Sequence, residues 1–125
     1  MRLFRPMSRH DPQVALKQIY SHANEAVEIC RAKSRSDLDS DRLLNLALTR
    51  LIEIMGEAAN RVPDSIQEQY PELPWMQMIT ARNRLIHGYD SVDFDILWAI
   101  VKNDLPPVIQ NLKRILDGYD GINQE

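Results

Sequence analysis

Residues 41–62 read "DRLLNLALTRLIEIMGEAANRV", and this stretch decides the fold. Leu43, Leu44, Ala47, Leu48, Leu51, Ile54, Met55 and Ala58 recur at steps of three and four, the period of an α-helix. Projected at about 100° per residue, these side chains wrap more than half of the helix circumference. A helix so patterned suits the centre of a bundle, with neighbours on two sides. It starts at about Ser40 and ends before Pro63, which has no N–H to continue the ladder.

Working outward, residues 11–33, "DPQVALKQIYSHANEAVEICRAK", open with Asp11 as N-cap and Pro12 at the first helical position. Leu16, Ile19, Ala23, Ala26, Val27 and Cys30 form the buried stripe of that first helix. The polar "SRSDLDS" between the two helices reads as a loop with a new cap. Beyond Pro63, "PDSIQEQYPEL" is one or two short helical turns capped by Asp64. A third main helix starts at Pro74, turns Trp75, Met78, Ile79, Leu85 and Ile86 inward, and is ended by Gly88. Residues 91–116, "SVDFDILWAIVKNDLPPVIQNLKRIL", form a fourth helix capped by Ser91 or Asp93. Its stripe is Phe94, Leu97, Trp98, Val101, Leu105, Val108, Leu112 and Ile115, and Pro106-Pro107 must kink or break it. The tail "DGYDGINQE" frays. The expected fold is all-α, an up-and-down bundle of four main helices plus a short one. It forms a single domain, 1–125, with its core in about 11–116.

Composition agrees. In 125 residues, 44% are hydrophobic and 26% charged, with only four glycines, a mix that favours a soluble helical domain. A lone cysteine, Cys30, excludes an internal disulfide and fits a reducing compartment. No apolar run reaches the roughly 18 residues of a membrane span. The N-terminal "MRLFRPMSRH" is basic but lacks the apolar stretch of a signal peptide, so the expected location is the cytoplasm. The net charge of −3 excludes a broadly basic nucleic-acid-binding domain; any polyanion surface must be local. Arg2, Arg5 and Arg9, and Arg31, Lys33 and Arg35, read as solvated surface.

Few groups are spaced for chemistry. His10, His22 and His87 lie far apart, without the close ligand spacing of a metal site. Gly56, Gly88, Gly118 and Gly121 make no phosphate-cradling loop, and no serine sits in a strand-to-helix elbow. What remains is 81–90, "ARNRLIHGYD". On a regular helix Asn83 and His87 share a face, about 40° apart, while Arg82 stands about 140° from His87. Arg82 and His87 therefore converge only if the helix ends or bends, and Gly88 offers that end. Arg84 projects about 200° from Arg82 and points elsewhere. An arginine grips a phosphate with two hydrogen bonds, an imidazole exchanges protons near neutral pH, and an amide orients either. A basic last turn also complements the helix dipole, so spacing alone favours a plain helix terminus.

The run "RNRLIHGYD", with "MGEAANRVPDSIQEQYPELPWMQMI" before it and "SVDFDILWAIVKNDLP" after it, resembles the HepT-like toxins of the HEPN superfamily. The resemblance extends from the first helix to residue 116. The family motif is an arginine, a polar residue, a histidine after a short gap, then any residue and a tyrosine. It falls here on Arg82, Asn83, His87 and Tyr89; Arg84 stands too close to His87 to serve as the motif arginine. The resemblance implies a metal-independent ribonuclease that needs no cofactor and acts on tRNA or mRNA as the toxin of a type VII-like toxin–antitoxin pair. It implies Arg82, Asn83 and His87 as catalytic residues; Arg84, outside the motif, is an RNA-binding candidate by its charge if a dimer gathers these arginines around one cleft. It also implies a homodimer in which two motifs face one cleft. The antitoxin would be a minimal nucleotidyltransferase that silences the toxin by transferring AMP to Tyr89. The alternative is a non-catalytic helical binding subunit of a nucleotidyltransferase complex.

Overall fold

The computed structural model of the chain describes residues 11–87 and 91–123, with His87 and 120–123 described as backbone alone. His10 and the basic residues of the N-terminal arm lie outside the described residues. So do Gly88 and Tyr89.

Helix α1, Pro12–Ile29, starts as its sequence dictates: the Asp11 carboxylate accepts from the Gln13 N–H and Pro12 occupies the first turn. Its stripe of Leu16, Ile19, Ala23 and Ala26 is buried, and Cys30 follows it into the core. Burial pushes the Cys30 thiol above its ordinary range, against the opposing pull of Lys102 and Lys33. His22 is satisfied locally, with Nδ1 2.8 Å from the Gln18 carbonyl oxygen.

The "SRSDLDS" segment contains a single helical turn, α2, Asp37–Ser40, where the sequence suggested a loop. Asn45, itself buried, ties that turn down by donating to the Leu38 carbonyl at 2.9 Å. The new cap is Asp41, whose carboxylate accepts from the Leu44 N–H. Helix α3, Arg42–Arg61, then runs through the middle of the bundle, packed on α1 and on α5. Leu44, Leu48, Leu51, Met55 and Ala58 are buried as expected. Leu43 and Ala47 are not: they face outward with Leu46, on the side of α3 opposite its buried Leu44, Asn45 and Leu48.

Helix α4, Asp64–Gln69, has Pro63 at its cap position and Asp64 already inside the helix, so Asp64 is not the cap. Helix α5, Trp75–Leu85, begins after Pro74 and runs close along α3. Gly56 permits the approach: a Cβ there would stand 2.7 Å from the Met78 carbonyl oxygen. Helix α5 stops at Leu85, three residues before Gly88, and its cap Ile86 is extended. Strands β1, Ile86–His87, and β2, Ser91–Val92, then pair antiparallel, His87 opposite Ser91. The Asp93 N–H closes the unit on the Leu85 carbonyl at 2.8 Å. Two residues per strand are too few to show an alternating pattern, so the sequence read straight through them as helix.

Asp93 caps helix α6, Phe94–Ala99, and Ser91 belongs to the strand. The expected disturbance at Pro106-Pro107 takes the form of a π segment, Ile100–Asp104, that leads directly into α7, Leu105–Asn123. The prolines would leave the Lys102 and Asn103 carbonyls without helical donors; the ladder widens just ahead of them, and the Leu105 N–H reaches back to Ile100. Helix α7 continues to Asn123, further than a tail frayed from residue 117. The architecture is the expected four-helix bundle, with a small hairpin at the end of α5.

Candidate functional site

The last turn of α5 sends its two arginines to opposite sides. Arg82 crosses to α3, where its Nε donates to Glu53 Oε2 at 2.8 Å. Arg84 turns toward the π segment, 3.9 Å from Asp104, and lines a separate cavity of about 400 Å³ with Met55, Met78 and Pro107. This divergence is the one expected from their spacing. Asn83, between them, is exposed.

The placing of Asn83 and His87 on a common helical face does not hold, because α5 ends at Leu85 and His87 lies in β1. The helix does end between Arg82 and His87, though earlier than Gly88. The strand pairing and the Asp93–Leu85 hydrogen bond tie Leu85–His87 to Ser91–Asp93, so the His87 backbone sits on a braced segment. Tyr89 lies outside the described residues.

Arg82 borders a groove of about 400 Å³ between α3 and the hairpin. Arg42, Arg50 and Arg82 line it, with Glu53 as the carboxylate among them, and Ile86, immediately before His87, forms part of its wall. Glu53 also stands 3.7 Å from Arg50, which is equally far from Glu57. Sequence reasoning missed Glu53, Arg50 and Arg42. Spacing within "LTRLIEIMGEAA" does not reveal them, because the Glu53 partner Arg82 is on another helix. Among the described residues no three His, Cys, Asp or Glu side chains come together to hold a metal ion.

The fold is a helical bundle with a guanidinium-lined groove beside a braced histidine segment, side-chain types whose chemistry suits a phosphodiester. Comparison with known proteins makes the class specific. A family profile described as "Ribonuclease HepT-like" matches residues 19–115, well over half of the chain. The chain belongs to the HepT-like ribonuclease family. It is 33% identical over 102 residues to "Putative RNase MJ1380" of Methanocaldococcus jannaschii, covering 82% of this chain and 94% of that protein. It is 37% identical over 86 residues to "Probable ribonuclease HepT" of Thermococcus cleftensis, covering 66% and 78%. A third relative, "Putative RNase TTE0752" of Caldanaerobacter subterraneus, is 30% identical over 105 residues, covering 84% and 94%. No solved structure matches the chain significantly. The protein is thus a ribonuclease by family, with RNA as its substrate class. None of its described helices is long and apolar enough to cross a membrane.

Proposed function

We propose that the chain is a metal-independent RNA endonuclease whose site comprises Arg82, Asn83 and His87. The observation that carries this reading is the end of α5 at Leu85. A continuous helix would keep Arg82 and His87 about 140° apart, and the bend into β1 releases them from that register. The bond to Glu53 uses the Arg82 Nε, which leaves Nη1 and Nη2 for a bidentate grip on phosphate.

Arg82 clamps the scissile phosphate and stabilises the charge that develops on it. His87 serves as general base or acid while the ribose 2′-oxygen attacks phosphorus. The 2′-oxygen–phosphorus bond forms, the bond to the 5′-oxygen breaks, and the proton lost by the 2′-hydroxyl ends on the leaving oxygen. Asn83 orients His87 or the phosphate, and Arg84 binds RNA outside the reacting centre. The substrate is tRNA or mRNA.

The family resemblance supports the wider setting. The enzyme is the toxin of a pair, its partner a minimal nucleotidyltransferase that adds AMP to Tyr89. It works as a homodimer with two motifs across one cleft. The outward Leu43 and Leu46, next to the groove, supply an apolar surface for that contact.

RNA cleavage in EDTA by the wild type, Arg82→Ala and His87→Ala is the test. The wild type should cut and both variants should be nearly silent. Equal cleavage by all three overturns the assignment, and binding of RNA or nucleotide without any cleavage supports the silent-subunit reading instead.

A further inference from the structure

We propose that the groove beside Arg82 is a track for single-stranded RNA, in which Arg50 and then Arg42 take phosphates further along the strand from the one held by Arg82. The inference rests on the reading of Arg82 as the clamp of the reacting phosphate, and extends it to the path of the strand.

Among the described residues the groove is lined by three guanidinium groups and the Glu53 carboxylate, with Glu57 3.7 Å from Arg50, in a chain whose net charge is −3. That is a local inversion of charge, the kind that draws a polyanion to one face of an acidic protein. Arg42 and Arg50 are eight residues apart on α3, so they mark two levels about 12 Å apart along it. Arg50 is well exposed, and its contacts to Glu53 and Glu57 are both long, at 3.7 Å. Exposed pairs of that length contribute little, and a phosphate can replace them.

The groove's remaining surface suits bases better than phosphates. Phe94 lines it, and an aromatic side chain accepts any base by stacking. Its amide and hydroxyl donors are spent internally: Asn45 donates to the Leu38 carbonyl and Thr49 to the Asn45 carbonyl. With those donors committed, recognition falls to charge and stacking. The track therefore holds the strand by its backbone and tolerates different base sequences.

The experiment measures fluorescence anisotropy of a short labelled single-stranded RNA on full-length His87→Ala protein, so that the probe stays intact. Arg42→Ala and Arg50→Ala should each weaken binding roughly threefold to tenfold. Each should also lower the slope of log affinity against log salt by about 0.7. Lys113→Ala, a cation on α7 remote from the groove, should change neither. Unchanged affinity and slope in the Arg42→Ala/Arg50→Ala double variant overturn the track. So does a double variant that loses ATP binding while holding RNA normally, since the groove would then be a nucleotide site. Cleavage assays separate this inference from the site assignment. If Arg82→Ala cuts like the wild type while the double variant binds RNA poorly, the clamp falls and the track stands. If Arg82→Ala is silent while the double variant binds and cuts normally, the track falls and the clamp stands.

Discussion

Arg82 and Glu53 are joined across two helices and 29 positions of sequence, Nε to Oε2 at 2.8 Å. The two partners are unequal: the Glu53 side chain is 19% exposed and that of Arg82 is 63% exposed. The carboxylate is the fixed member, and the arginine extends from it into the groove. Glu53 therefore acts as a positioning residue for the proposed phosphate clamp.

Glu53→Ala should lower kcat by roughly tenfold or more, because a clamp displaced by about an ångström costs that much or greater. KM for RNA should stay level or fall, since a negative charge leaves the groove. Glu53→Gln, which keeps a hydrogen-bond acceptor, should lie between. Steady-state cleavage with KM and kcat separated provides the check, and a raised KM at unchanged kcat would contradict the positioning role. Stability should drop by no more than about 1 kcal/mol, as befits a pair with one exposed partner.

Gly56 sets the distance that makes this pair possible. An alanine Cβ would meet the Met78 carbonyl oxygen at 2.7 Å, and a backbone oxygen cannot rotate away. Overpacking of this kind costs about 1–3 kcal/mol, against about 1 kcal/mol gained from better helix propensity. Gly56→Ala should be destabilised in urea unfolding, and should lose cleavage even well below its melting temperature because α5 is lifted from α3. A stabilised variant with intact cleavage would show that the close approach has no role.

Much of this could be read from the chain before the fold was known. Asp11-Pro12 starts α1, Pro63 follows the end of α3, and Pro106-Pro107 signals a disturbed helix; each is a local rule acting on neighbouring residues. The end of α5 was harder. Leu85 and Ile86 continue an apolar helical register, and the strands that replace it are two residues long. Leu43 was hidden for the opposite reason, since a pattern shows that a face is apolar but not whether the same chain covers it. Glu53 was illegible because its partner is set by helix packing, which no spacing within α3 reveals.

Leu43 is 80% exposed and Leu46 is 48% exposed, one turn apart at the N-terminal half of α3. Two large apolar side chains left in water at this spacing fit a contact with a second copy of the chain. Leu43→Asp/Leu46→Asp should convert a dimer to a monomer in analytical ultracentrifugation, while circular dichroism stays helical. Cleavage should fall with dimerisation. A variant that sediments as the wild type does would move the subunit contact to another face.

Incubation with a minimal nucleotidyltransferase of the proposed partner class and ATP should attach AMP to Tyr89. Under the proposed mapping, the added phosphate brings negative charge and bulk to the motif, where it competes with the RNA backbone. Mass spectrometry should locate the adduct on Tyr89, and cleavage should fall as it accumulates. Tyr89→Phe should resist silencing. An adduct on any other residue would refute the mapping of the motif.

Tyr119, on α7, gives the fold a titration that can be followed far from the groove. Burial, with a hydrogen bond to Tyr70, pushes its phenol up to about 12. An unfolded tyrosine ionises near about pH 10, so on raising the pH the unfolded chain loses this proton before the folded one does. The stabilisation from the neutral phenol is therefore complete below about pH 10 and is lost as the pH rises toward about 12. Tyr119→Phe cannot ionise, so its urea midpoint should fall less steeply than the wild type's between about pH 9 and about pH 12. Identical slopes would mean that Tyr119 ionises as readily in the folded chain as in the unfolded one. Because the group lies on α7, away from α3 and α5, the same variant should cleave RNA normally at neutral pH.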